Sequence, residues 1–272
     1  MRACQAGVVV IYCGGMGSEI FDLTGRRALV TGGGRGIGFA IAKGLAEQGA
    51  DVAIAARTKG QLDSACGEIR ADTGRNAWSF AFDLGDAEGA KGLFAEVVEQ
   101  AGGVDILVNC AGTTVRGASE DVELKDWERV QDVNLKAVLV LSQAFCRHRK
   151  EAGGGGSIIN IGSLMCHGAR PTTAAYAASK AGLLALTKTL AVEWAKYGIT
   201  VNAIGPGYIA TELTAPLRAD KEFNKWVLSK TPLGRWGKAA DLVGTAVLLA
   251  SKAGGFITGQ IVYIDGGWLA LL

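Results

Sequence analysis

The chain has 272 residues, of which 49% are hydrophobic and 20% charged, a balance that excludes a disordered polypeptide and can bury the core of one large α/β domain. A formal charge of +2 with no basic stripe excludes a nucleic-acid surface. The six cysteines form no C-x-x-C pair and sit mostly in apolar runs, the pattern of reduced core thiols in a cytoplasmic protein, and neither histidine has a partner at metal-ligand spacing.

Residues 1–20 are expected to form a poorly determined extension. Their apolar run "GVVVIY" falls far short of the roughly 20 residues that cross a bilayer, and Met16 is a candidate alternative start. From residue 21 onward the spacing predicts one domain, in which short β-branched strands alternate with amphipathic helices. The strands are placed at 27–32, 51–56, 76–84, 104–112, 156–163, 200–207 and 260–267. The helices are placed at 36–49, 59–72, 86–101, 126–150, 173–197 and 238–252. Such alternation predicts a doubly wound, seven-stranded parallel sheet with helices on both faces and ligands beyond the carboxyl ends of the strands.

The first strand runs through "TGGGRGIG" straight into a helix. Gly32, Gly36 and Gly38 allow a sharp turn and close approach of a pyrophosphate to the helix N-terminus. The second strand ends at Ala56–Arg57, where an NAD-binding site would place an acid on the adenosine ribose. Arg57, with Arg35 from the glycine turn, instead suits a 2′-phosphate, so NADP(H) is preferred and NAD(H) remains possible. Asp51 stands at the wrong end of that strand. Asp83, ending the third strand, is placed to accept from the adenine amino group, and "NCAG" from Asn109 to pass beneath the cofactor.

The fifth strand carries Ser163 at its carboxyl end, and "YAASK" then sets Tyr176 and Lys180 about one helical turn apart. An ordinary phenol, with a pKa near 10, is too weak an acid for efficient proton transfer at neutral pH. A fixed ammonium beside it is expected to lower that value. After the sixth strand, residues 208–237 interrupt the alternation where a substrate lid would be built. In that insertion Trp226 and Trp236 either shield the site from water or serve a subunit contact. His148, in "CRHRK", is expected to be exposed at its helix end.

Together "TGGGRGIG", "NCAG", "VNL", Ser163 thirteen residues ahead of "YAASK", and "IGPG" resemble the short-chain dehydrogenase/reductase family over residues 21–272. The resemblance implies a catalytic tetrad of Asn134, Ser163, Tyr176 and Lys180, with Asn134 ordering a proton-relay water and Lys180 also holding the nicotinamide ribose. It implies a cofactor lying along Gly32, Arg35, Gly36, Ile37, Gly38, Arg57, Asp83, Leu84, Asn109, Ala111, Gly112, Tyr176, Lys180, Pro206, Gly207, Ile209 and Thr211. No metal is expected. It also implies a homotetramer, which would cover the apolar tail "GGWLALL".

Within the family, "DVNLK", "TPLGRWG" and "IDGGW" are similar to the gluconate 5-dehydrogenase and 2-deoxy-gluconate 3-dehydrogenase group, which implies a sugar-acid or polyol substrate, with no membrane or nucleic-acid partner. Arg116 is then the candidate for the substrate carboxylate, with His167 and Tyr208 as pocket walls. A 3-oxoacyl-carrier-protein reductase shares nearly all of these motifs, and a cofactor-binding protein without turnover is a third reading.

Overall fold

In the computed structural model, which describes residues 19–271, seven strands alternate with helices in the expected order. They are β1 (Arg27–Thr31), β2 (Asp51–Ala56), β3 (Ala77–Ala81), β4 (Ile106–Asn109), β5 (Gly156–Ile161), β6 (Ile199–Pro206) and β7 (Ile261–Ile264). All neighbours pair in parallel, in the order β3-β2-β1-β4-β5-β6-β7. The order reverses between β1 and β4, so a crevice opens above their carboxyl ends. The expected N-terminal extension, "GVVVIY" and Met16 fall outside the described residues, apart from Glu19 and Ile20 at its end. Those two join the fold, since the Ala253 amide donates to the Ile20 carbonyl at 3.1 Å and Leu23 is buried.

Strand side chains alternate between the two faces, and each face builds its own core. Val30, Ile54 and Val108 pack under α1 (Gly36–Glu47), α2 (Lys59–Thr73) and α9 (Val243–Ala250). Leu29, Ala53 and Leu107 pack under α3 (Ala90–Ala101), α5 (Ala137–Glu151) and α6 (Ala174–Trp194). Strands covered on both sides read as continuous apolar runs. For that reason the runs 76–84, 104–112 and 260–267 overshoot the observed strands. At the carboxyl ends of the first two runs, the surplus residues Phe82–Leu84 and Cys110–Gly112 leave the sheet and line the crevice.

One predicted helix divides. The stretch expected over 126–150 is α4 (Leu124–Gln131), a π-helical turn (Asp132–Lys136) and then α5. The wide turn falls on Asn134, a feature that hydrophobic period cannot reveal. The 208–237 insertion contains α7 (Ala215–Ala219) and α8 (Lys221–Lys230), the latter begun by Asp220, whose carboxylate accepts from the Glu222 and Phe223 amides.

Away from the crevice, Arg149 and Asp105 form a buried ion pair at 2.7 Å, with side chains only 12% and 13% exposed. The other Asp105 oxygen accepts from the Arg27 amide, and Arg149 Nε donates to the Gly155 carbonyl, so both charges are satisfied. His148 is not the exposed residue expected. It is half-buried against Phe94, and its Nε2 accepts from the Val104 amide at 3.2 Å. Burial, reinforced by neighbouring Arg149, holds its pKa below the ordinary value.

Candidate active site

The glycine turn takes the shape its composition predicts. Gly32 and Gly36 adopt positive φ (68° and 58°), and a Cβ on Gly38 would stand 2.3 Å from the Gly32 carbonyl oxygen. Only glycine lets the start of α1 close onto the end of β1 in this way. The Thr31 hydroxyl accepts from the amides of Cys110 (3.0 Å) and Ala111 (3.1 Å), fastening this turn to the chain leaving β4. Nothing in the local sequence distinguishes that threonine as a clasp.

Between these turns lies a cleft of about 350 Å³, running from Arg57 and Asp83 at one end to Ser163, Tyr176 and Lys180 at the other. Its walls include every expected cofactor position except Asn109. The Asn109 side chain turns inside the sheet, where its Nδ2 donates to Asn160 Oδ1 at 2.9 Å. Pro206, Gly207, Ile209 and Thr211 close the cleft from above, and the Thr211 methyl reaches within 3.7 Å of where a Gly36 Cβ would stand.

At the far end the residues fit a dinucleotide carrying an extra phosphate. Ala56 leaves the ribose position without an acid, while Asp51, at the opposite strand end, is tied to Arg75 at 2.8 Å. Arg57 is exposed on the cleft wall and has no carboxylate within 4 Å among the described residues. Arg35 pairs with Glu212 from the 208–237 insertion, both exposed. Asp83 stands on the cleft wall, where both its oxygens accept from Arg129, at 2.8 and 2.9 Å, and one also accepts from the Gly85 amide. Burial alone would raise its pKa, but the Gly85 amide and the Arg129 guanidinium outweigh it and hold the carboxyl below its ordinary value. Arg129 lines the cleft and escaped the sequence reading because it lies 46 residues from its partner.

At the near end, α6 sets Tyr176 and Lys180 on one face, with the ammonium 5.7 Å from the phenol ring centroid. Lys180 is 4% exposed and donates to the Ile161 carbonyl at 2.7 Å, which links it to the strand end that carries Ser163. The expectation that Lys180 would draw the phenol below its ordinary pKa is not met in this arrangement. Burial dominates: it pushes Tyr176 up, with hydrogen bonding from Ser163 opposing, and it pulls Lys180 down. Both groups are driven toward neutral forms, which leaves Tyr176 a protonated donor. Ser163 Oγ also accepts from the Met165 amide, which fixes its position at the strand end.

Asn134 is fully buried and committed at both ends of its amide. Oδ1 accepts from the Thr113 amide at 2.8 Å, and Nδ2 donates to the Thr113 carbonyl and to Ser179 Oγ. A Cβ at Gly112 would meet Asn134 Oδ1 at 3.5 Å and Lys180 Nζ at 3.9 Å, so that glycine keeps open a space bordered by both groups.

None of the three substrate candidates lines the cleft. His167 is exposed and packs edge-on against Tyr263 without lining the cleft. Tyr208 turns into an aromatic cluster with Trp268, Trp236, Phe223 and Trp226, at centroid distances of 4.8 to 6.0 Å. Arg116 is exposed on the loop after β4.

A doubly wound sheet, a glycine turn and a tyrosine and lysine on one helix face above it define a nicotinamide-dependent oxidoreductase, and the chain belongs to the short-chain dehydrogenase/reductase family. The family model described as enoyl-(acyl carrier protein) reductase matches residues 32–269. At the level of individual relatives, the chain is 42% identical to gluconate 5-dehydrogenase of Gluconobacter oxydans (strain 621H), over 92% of this chain and 96% of that one. It is 43% identical to 2-dehydro-3-deoxy-D-gluconate 5-dehydrogenase of Bacillus subtilis (strain 168), over 93% and 98%. Its fold is similar to gluconate 5-dehydrogenase from Burkholderia cenocepacia J2315 in complex with NADP and tartrate, with a TM-score of 0.89 and 41% identity over 94% of this chain and 100% of that one.

Proposed function

We propose that this enzyme interconverts a secondary hydroxyl and a ketone on a sugar acid, using NADP(H). The observation that carries the proposal is a single cleft joining an end where Ala56 and Arg57, with no acid, stand at the ribose position to Ser163, Tyr176 and Lys180. Full-length likeness to gluconate and deoxy-gluconate dehydrogenases supports the substrate class.

Bound NADP(H) supplies the hydride acceptor or donor at nicotinamide C4. Gly32, Gly36 and Gly38 would hold its pyrophosphate, Arg57 and Arg35 its 2′-phosphate, and Lys180 its nicotinamide ribose. In oxidation, ionised Tyr176 takes the proton from the substrate hydroxyl; in reduction, the phenol gives it back. Ser163 donates to the substrate oxygen and aligns it with Tyr176. Asn134 holds the 112–113 turn against α6 beside Lys180, the place from which a water could pass protons outward. Arg116 contributes a cation for the substrate carboxylate. The enzyme is proposed to work in the cytoplasm as a homotetramer. Among the described residues no helix is long and apolar enough to cross a membrane.

The test is turnover with NADP⁺ and NAD⁺ across gluconate, deoxy-gluconate analogues, neutral polyols and, in reverse, β-ketoesters. The reading expects sugar acids with NADP⁺ to give the highest kcat/KM. A preference for β-ketoesters would instead favour the carrier-protein reductase.

A further inference from the structure

We infer that Arg170 is the residue that discriminates a carboxylate-bearing substrate from its neutral counterpart, acting with the Tyr208 hydroxyl and Arg116 as one anion subsite. This rests on the sugar-acid reading above. Arg116, Arg170 and Tyr208 lie on the loops that leave the carboxyl ends of β4, β5 and β6. The Arg170 loop joins Ser163 to Tyr176, so its register is tied at both ends to the reacting groups. The 2′-phosphate end of the cleft, at Arg57, is on the other side of the strand-order reversal.

Arg170 is half-buried and its plane is set by two contacts. Its guanidinium carbon sits 5.1 Å over the Phe223 ring, and Nη1 donates to the Tyr208 hydroxyl at 3.4 Å. The rest of the guanidinium fork has no carboxylate within 4 Å among the described residues, and the same holds for Arg116. Arg116 feels this neighbour: partial burial first, then the Arg170 charge, pull its pKa below the ordinary value. Two like charges on loops joined by the Gly117 amide donating to the Thr172 carbonyl, with no counter-ion among the described residues, make a site that favours an anion. A carboxylate matches a guanidinium fork in two parallel hydrogen bonds.

The backbone that holds this arrangement is itself strained. Thr172 has φ 67°, the one non-glycine residue with positive φ among those described. A β-branched side chain in that region is an outlier, and such outliers cluster at ligand sites. The strained turn is braced by Thr173 Oγ1 donating to the Arg170 carbonyl at 2.8 Å and by the Gly117 amide donating to the Thr172 carbonyl at 3.4 Å. The second bond stitches the Arg116 loop to the Arg170 loop, and packing of aromatic rings alone requires no such stitch.

The test compares kcat/KM for D-gluconate and for the neutral polyol D-glucitol in the full-chain enzyme with saturating NADP⁺. Arg170→Gln is expected to lower the acid-to-polyol ratio by roughly 30-fold, mostly through KM, with partial recovery in Arg170→Lys. Tyr208→Phe, which deletes one hydroxyl, should lower the ratio by about threefold and serves if the glutamine variant melts early. An unchanged ratio, or equal losses on both substrates, overturns the assignment. Calorimetric titration of gluconate into the NADP⁺-loaded enzyme separates failure of this subsite from failure of the sugar-acid reading. If neither compound is oxidised but gluconate binds, about tenfold weaker binding by Arg170→Gln upholds the subsite. No binding by the unsubstituted enzyme, or equal binding by both, ends it.

Discussion

The ammonium of Lys180 lies 5.7 Å from the centre of the Tyr176 ring and donates to the carbonyl of Ile161 at 2.7 Å. The pair therefore belongs at once to helix α6 and to the end of strand β5. Burial, rather than attraction between the two groups, sets their proton affinities here, raising the phenol and lowering the amine.

A raised phenol pKa means that the proton-donating form persists to higher pH. Ketone reduction, which consumes that proton, is expected to keep a constant kcat/KM from neutral pH up to the ordinary phenol value of about 10 and to fall only above it. Alcohol oxidation, which needs the ionised form, should climb through the alkaline range. Paired pH profiles measured with NADPH and NADP⁺ check this. An oxidation rate already level at neutral pH would show that something in the working complex lowers the phenol.

Arg57 stands on the cleft wall with no acidic partner among the described residues, whereas Arg35 is engaged by Glu212. Replacing Arg57 with alanine should weaken NADPH roughly 10- to 100-fold and NADH by less than about threefold, the difference one charge-assisted phosphate contact makes. Fluorescence titration of both reduced cofactors gives the comparison. Equal weakening would mean that Arg57 shapes the pocket without contacting the phosphate.

The pair Arg149–Asp105 tests the fold apart from catalysis. Arg149→Ala leaves a carboxylate buried at 13% exposure without its cation, at a cost of about 3 kcal/mol. Thermal melting should show a Tm lower by roughly 10 °C, and the double variant Arg149→Met/Asp105→Asn should regain most of it. Equal melting of wild type and Arg149→Ala would show that water reaches the pair.

What could be read from sequence follows physical range. The glycine turn and the Tyr176–Lys180 pair were legible because each is built within one or two helical turns. The seven-stranded parallel sheet followed from alternation and the right-handed crossover, while its strand order came only with the structure. Partners distant in sequence were not legible: Arg129 reaches Asp83 across 46 positions, and Arg35 meets Glu212 across 177. Side-chain direction was equally hidden. The Tyr208 ring packs among Trp268, Trp236, Phe223 and Trp226, because the 208–237 insertion and the C-terminal residues bring four aromatic rings to it. The π-helical turn at Asn134 has no hydrophobic signature, since it changes the hydrogen-bond ladder and leaves the apolar stripe in place.

The most direct measurement is NADP⁺ reduction on gluconate, followed at 340 nm, by the unsubstituted enzyme and by Tyr176→Phe, with NADPH affinity measured on both. Tyr176→Phe is expected to lose about a thousandfold or more in kcat, with cofactor affinity changed by less than about threefold. Turnover by Tyr176→Phe within about tenfold of the unsubstituted enzyme would contradict it, because the proton would then move through another group.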